Sequence, residues 1–324
     1  MGELAKVAEA LSAPATKLIE VVSRGIGRAY DPRYKKRMAD ASAYEIDTLS
    51  EAVRRNSDLP IFLDRDGIQL DARSIQELAD RTKTRLFSQE MRKQQNIEAI
   101  VDKAYEEIQK ETEVSNEPVD DDWITRFFNC VEDISSDKLR EIWGKILAGE
   151  IKKPNSFPFR TLEMLKNLSL AEANLIEKLS FCLIYIGRRA LIPNVREIWD
   201  EFNIEFDDLV ALCNIGILNI TKMSLKLNIK ENKTPIYNEQ IVGIVEPSPN
   251  DSCDTLDLNI YSLTESGRDI VKVVSKDAQK SEMFAIRYLS ILRRDNKKCF
   301  FQAYRFVGVQ GEFIHHEKTN LLPD

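Results

Sequence analysis

Residues 72–113 contain neither glycine nor proline. A run of that length, rich in Glu, Gln, Lys, Arg, Ala and Leu, has one regular structure open to it, a single long helix. Its apolar positions are Ile75, Leu78, Leu86, Phe87, Met91, Ile97, Ile100, Val101, Ala104, Tyr105 and Ile108. They recur at three- and four-residue spacing, but the middle, 88–96, is polar apart from Met91. A helix this long cannot bury its stripe alone. It needs a partner helix, either from the same chain as a hairpin or from a second copy.

The segments before it are also helical in pattern. In 13–30, Leu18, Ile19, Val22 and Ile26 follow helical spacing, with Pro14 suited to the first turn and Gly25 and Gly27 to the end. A basic cluster, Arg33, Lys35, Lys36 and Arg37, follows. An amphipathic helix beside such a cluster can lie on an anionic membrane, so 13–37 is a candidate for peripheral contact. The plainer reading docks the stripe on the protein itself. Residues 31–56 read as another helix with a small-residue stripe, and 57–71, holding Pro60, Asp64, Asp66 and Gly67, as a turn.

Composition removes most enzyme classes. The 324 residues are 43% hydrophobic, enough for real cores, and carry a net charge of −7, so the molecule as a whole does not attract nucleic acid. No apolar run is long enough to span a membrane, and residues 1–6 lack signal-peptide character, which suggests a cytoplasmic chain. The five cysteines are dispersed with no CxxC, the pattern of reduced core thiols. The two histidines, His315 and His316, are adjacent near the end, so a Ser-His-Asp triad or HExxH site would have to use them. Gly25-Ile26-Gly27 lacks the third glycine of a dinucleotide loop, and no GxxxxGK[ST] occurs. No catalytic residue, cofactor or metal ligand is therefore assigned. A carboxylate-metal hydrolase stays open only because Asp and Glu are plentiful.

Past an acidic linker, 113–122, two short helices are dense in large apolar residues. The first holds Trp123, Ile124, Phe127, Phe128, Cys130 and Val131; the second, opened by Ser135-Ser136-Asp137, holds Leu139, Ile142, Trp143, Ile146 and Leu147 and is closed by Gly149. The stretch ISSDKLREIWGKILAGEIKKPNSFPFRTLEMLKNLSLAEANLIEKL resembles the signature of an uncharacterised bacterial family with the module LxxxWxxiLAGEi…RTLexLknLs. The positions that carry the resemblance are Leu139, Trp143, Ile146, Leu147, Ala148, Gly149, Glu150, Arg160, Thr161, Leu162, Leu165 and Leu168. Gly144 and Pro158 depart from the pattern. With the similar segment near the amino terminus, it spans 17–179. A shorter likeness, one helix long, links the chain to the Abi-alpha family, named for a proposed role in phage abortive infection. Neither family supplies catalytic residues; the second implies phage defence as a setting. Trp143, Glu150, Arg160, Thr161 and Glu163 form the candidate cluster. It is read either as a polar binding site between helices or as a structural lock in which Arg160 pairs with a carboxylate such as Glu150.

The last half begins with Ser169-Leu170-Ala171-Glu172, a capping box opening a helix that the pattern carries through Ile184. Helices near 195–202 and 205–213, strands at 223–229, 239–245 and 256–263, and a helix after Leu263-Thr264-Glu265-Ser266-Gly267 resemble a winged helix-turn-helix. Its third helix is acidic: 196–216 holds six acids and one base, which repels phosphate. The candidate nucleic-acid or partner surface is instead Lys222, Lys226 and Lys230 with Arg293, Arg294, Lys297 and Lys298 of the basic tail. In that tail Phe300, Gln302, Tyr304 and Phe306 alternate as a strand with one packed face.

These readings give a mainly α chain with a small β component. Its parts are long amino-terminal helices in 1–117, as coiled coil or hairpin, a helical module in 118–168, a winged-helix-like α+β domain in 169–276, and a basic α/β tail in 277–324. The function expected is a non-enzymatic protein-interaction module, a homo-oligomer with a further protein partner. The alternative is a winged-helix DNA-binding regulator using the wing lysines and the basic tail.

Overall fold

The computed structural model describes residues 12–26, 72–187, 189–219, 221, 223–230, 235–248, 254–310 and 313–322. The helix expected over 31–56, the turn after it and the basic cluster at 33–37 lie outside these. The chain divides into two compact units between Phe157 and Pro158.

The first unit is helical: α1 (Ala13–Gly25), α2 (Ala72–Ile108), α3 (Asp121–Val131) and α4 (Asp137–Lys152). Of the expected stripe of α1, Leu18 and Val22 are inside at 2% and 3% exposure, together with Ala15 and Val21, whereas Ile19 is 51% exposed. Lys17 donates to the carbonyls of Ser115 and Glu117, and Arg24 pairs with Asp121, which fastens α1 along the linker. Asp120 caps α3 by accepting from the Trp123 N–H at 2.8 Å, so the acidic linker does end in a cap. The carboxyl-terminal half of α2 lies along α4, burying Ile97, Ile100, Val101, Ala104 and Ile108. Gly144 allows that approach: a Cβ there would stand 2.5 Å from Cβ of Lys103 and 2.9 Å from the Ala104 nitrogen. Gly149 does not end its helix, as the sequence suggested. It lies inside α4, where a Cβ would meet the Phe157 ring at 2.7 Å.

The second unit contains α5 (Phe159–Lys166), α6 (Leu170–Leu179), α7 (Arg196–Phe202), α8 (Phe206–Asn214), α9 (Glu265–Val273) and α10 (Ala278–Asp295). The capping box at Ser169 and Glu172 forms as expected. The strands are β1 (Ile184–Ile186), β2 (Arg189–Pro193), β3 (Met223–Asn228), β4 (Ile236–Tyr237), β5 (Ile241–Pro247), β6 (Thr255–Ser262), β7 (Cys299–Gln310) and β8 (Phe313–His316). They form one antiparallel sheet in the order β3-β6-β2-β1-β4-β5-β7-β8.

This sheet overturns the expected fold class. The β component is an eight-stranded sheet, and the segments read as the strands of a wing are only part of it. The fold is α+β, and the winged-helix assignment is withdrawn. One source of the error is the run from Leu183 to Pro193. Read as a helix continuing through Ile184, it is a hairpin that turns at Gly187, whose φ is +58°.

Helix α10 packs on β5 and β7, toward the β8 side of the sheet. Phe284, Tyr288 and Leu289 of α10 and Phe301, Ala303, Ile241 and Val245 of the sheet are all at most 4% exposed. Gly243 leaves room for Leu289, whose Cδ2 would lie 2.5 Å from an added Cβ. Asn238 fixes the β4–β5 turn there, donating to the Ser281 carbonyl at 2.8 Å and accepting from the N–H groups of Gln240 and Ile241.

Candidate interaction surface

The residues singled out in the sequence have separate roles. Trp143 is fully buried and meets Phe127 edge to face at 5.4 Å. Its Nε1 has no hydrogen-bond acceptor. Burying an indole is worth about 4–6 kcal/mol by area, against about 1–3 kcal/mol for the unmade bond, so packing decides. Trp123 in the same core does donate, to the Phe157 carbonyl at 2.7 Å.

Glu150 is 1% exposed and accepts three backbone N–H groups, from Asn155 at 2.6 Å, Ser156 at 3.0 Å and Phe157 at 2.9 Å. Both oxygens accept from the loop after α4, so the described partners of Glu150 form a loop clip. Burial pushes the Glu150 carboxyl above its ordinary range, and the three N–H groups only partly oppose that. Arg160 and Glu163 are exposed on α5. Thr161 is buried and donates to Asp269 of α9 at 3.2 Å, while Lys272 takes the other Asp269 oxygen at 2.8 Å. Thr161 and Asp269 thus join α5 to α9 within the second unit, while Trp143 and Glu150 belong to the first.

The basic candidates also disperse. Lys222 lies outside the described residues. Lys226 is exposed on the edge strand β3, and Lys230 pairs with Asp254 at 3.2 Å. Arg294 pairs with Glu197 at 2.9 Å and Asp295 at 2.8 Å, and Arg287 with Glu197 at 2.7 Å and Glu201 at 2.6 Å. The acids of α7 that looked repulsive to phosphate are therefore partners of the basic residues on α10. Side-chain hydrogen bonds to Asp295 and Glu197 hold the Arg294 guanidinium protonated even more firmly than usual. Arg293 sits in the last turn of α10, and Lys297 and Lys298 are exposed in the turn that follows.

The tail strand exists, with its faces reversed from expectation. Phe301 and Ala303 pack under α10, whereas Phe300 is 47% exposed and Tyr304 stacks on His316 at 4.4 Å. Among the described residues no group of three or more His, Cys, Asp or Glu could hold a metal ion. No described helix is long and apolar enough to cross a membrane.

Among the described residues, the amino-terminal part of α2 leaves several large apolar side chains exposed. Leu78, Leu86, Phe87 and Met91 are 58%, 41%, 61% and 47% exposed, on the same continuous helix whose other half is core. At about 1.5 Å per residue, the segment from Leu78 to Met91 is roughly 20 Å long.

The family described as "Protein of unknown function (DUF2806)" matches residues 80–289, well over half of the chain. The chain belongs to this family. The match begins within the exposed part of α2, takes in the Trp143-to-Leu168 module and reaches α10. No curated protein and no solved structure matches.

Proposed function

We propose that this chain is a non-enzymatic, self-associating interaction module of a bacterial cytosolic system, with phage defence as the setting its Abi-alpha likeness suggests. One observation carries the reading: Leu78, Leu86, Phe87 and Met91 are exposed on a helix whose continuation is buried core. Large apolar side chains left exposed on a helix anchored at one end are suited to pairing with another helix, Phe87 and Met91 standing four residues apart on one side of it. At about 25 cal/mol per Å², burying such side chains from two copies is worth several kcal/mol before the cost of association.

Light scattering on the full chain tests this. The wild type should run as an oligomer at micromolar concentration, and Phe87→Glu should shift it to the monomer with its circular dichroism unchanged. A wild type that stays monomeric across that range overturns the proposal.

The acids and bases of the second unit argue against a nucleic-acid role, because Arg287 and Arg294 already have carboxylate partners. Binding to DNA that weakens steeply with salt would reverse that preference.

A further inference from the structure

The two units part between Phe157 and Pro158, and the chain is fastened on each side of that step. On the first side α4 ends at Lys152, and Lys153 still donates back to the Gly149 carbonyl. Pro154 has no N–H, and the N–H groups of Asn155, Ser156 and Phe157 all go to the Glu150 carboxylate. Every backbone donor from 154 to 157 therefore depends on one side chain. Trp123 of α3 donates its indole N–H to the Phe157 carbonyl at 2.7 Å, and the Phe157 ring, 5% exposed, sits against Gly149. The Ser156 hydroxyl donates to the Lys153 carbonyl at 2.6 Å, and Asn155 supplies the left-handed φ of +67° that the turn requires.

On the second side Pro158 directly precedes α5, and its carbonyl accepts the Thr161 N–H at 2.9 Å. Leu162 and Leu165 of α5 are at most 1% exposed, and Thr161 adds its hydrogen bond to Asp269 of α9. The joint is thus one step long. Proline fixes its own φ and restricts the residue before it, so few torsions there are left to turn. With the clip open, 153–157 would become slack, reaching up to about 17 Å at about 3.4 Å per residue.

We propose that the Glu150 clip is a lock on the joint between the two units: closed, it confines their turning to the Phe157–Pro158 step, and open, it releases 153–157 as slack. Loss of the clip then frees the units from each other's motion without unfolding either. This holds whether or not copies of the chain pair through α2.

Hydrogen exchange and small-angle X-ray scattering on the full chain test it, with every variant made in the Phe87→Glu background so that pairing of copies stays out of the scattering. In Glu150→Ala the amides of Asn155, Ser156 and Phe157 should exchange roughly a hundredfold faster than in the parent, while those inside α4 and α5 keep their protection. Its scattering should show a larger maximum dimension and a broader distribution of distances. Asn96→Ala is the control. Asn96 accepts from Arg140 at 2.7 Å and donates to the Glu132 carbonyl at 2.8 Å, elsewhere in the first unit. Its loss should lower stability and leave both readouts at the parent's values. Trp123→Phe keeps a ring but removes the N–H on the Phe157 carbonyl, so it should give the same two changes at smaller amplitude, and it decides the matter if Glu150→Ala does not fold. Amides that exchange at the parent's rate in Glu150→Ala overturn the proposal. So does a scattering curve that stays the same while the amides open, or an equal expansion in Asn96→Ala.

Discussion

Glu150 illustrates how a residue-scale role can be misread from sequence. A carboxylate amid Leu-Ala-Gly and followed by Arg-Thr-Leu suggests an ion pair, yet its partners are three N–H groups five to seven residues on. Clusters of backbone N–H donors of this kind leave no side-chain pattern, so only the buried position of Glu150 could hint at one. Glu150→Ala leaves three donors in a dry loop and should cost about 3 kcal/mol in chemical denaturation. The pH dependence has a defined sign. Burial raises the folded carboxyl, so the folded state binds this proton more tightly than the unfolded state does. The contribution of this group is therefore fully present below the ordinary carboxyl range and is lost as pH rises through the raised value. Glu150→Gln should flatten that part of the stability profile; an unchanged profile would contradict the assignment. Thr161→Val removes the donor to Asp269 and should cost about 1 kcal/mol in the same assay.

At the scale of elements, caps and amphipathic helices were legible because their signals are local. Asp120 and Ser169 cap the helices that follow them, and the helix expected near 264–267 forms with Thr264 as its cap. Long-range pairing was not legible. The β1–β2 hairpin consists of two short apolar runs around Gly187, and such runs carry no period that separates strand from helix. In β7 both faces carry aromatics, so alternation named a strand but could not say whether Phe300 or Phe301 turned inward. The link between α7 and α10 was hidden for another reason. Glu197 and Glu201 lie some ninety residues from Arg287 and Arg294, and each segment alone shows only a charge bias. These pairs are largely solvent-exposed, so Glu197→Gln should cost less than about 1 kcal/mol, and the difference should fade near 1 M salt. A loss of several kcal/mol that ignores salt would mean the contact is packing instead of charge.

For the whole molecule, the sequence indicated a long helix in need of a partner but left open whether the partner was its own chain or a copy. The structure answers for the last third of that helix: 97–108 is satisfied within the first unit. The part before it keeps four large apolar side chains at least 41% exposed, and that is the basis for the proposed self-association. The cluster around Trp143 belongs to the core and the Glu150 clip, so mutating it should change stability before it changes assembly. Sedimentation equilibrium of the full chain from about 0.1 to 100 μM, beside Leu86→Glu/Phe87→Glu, tests the central claim directly. The account predicts a wild type whose mass rises to twice that of one chain within this range and a double variant that remains a folded monomer. Identical behaviour of the two proteins, whether both monomeric or both oligomeric, would contradict it.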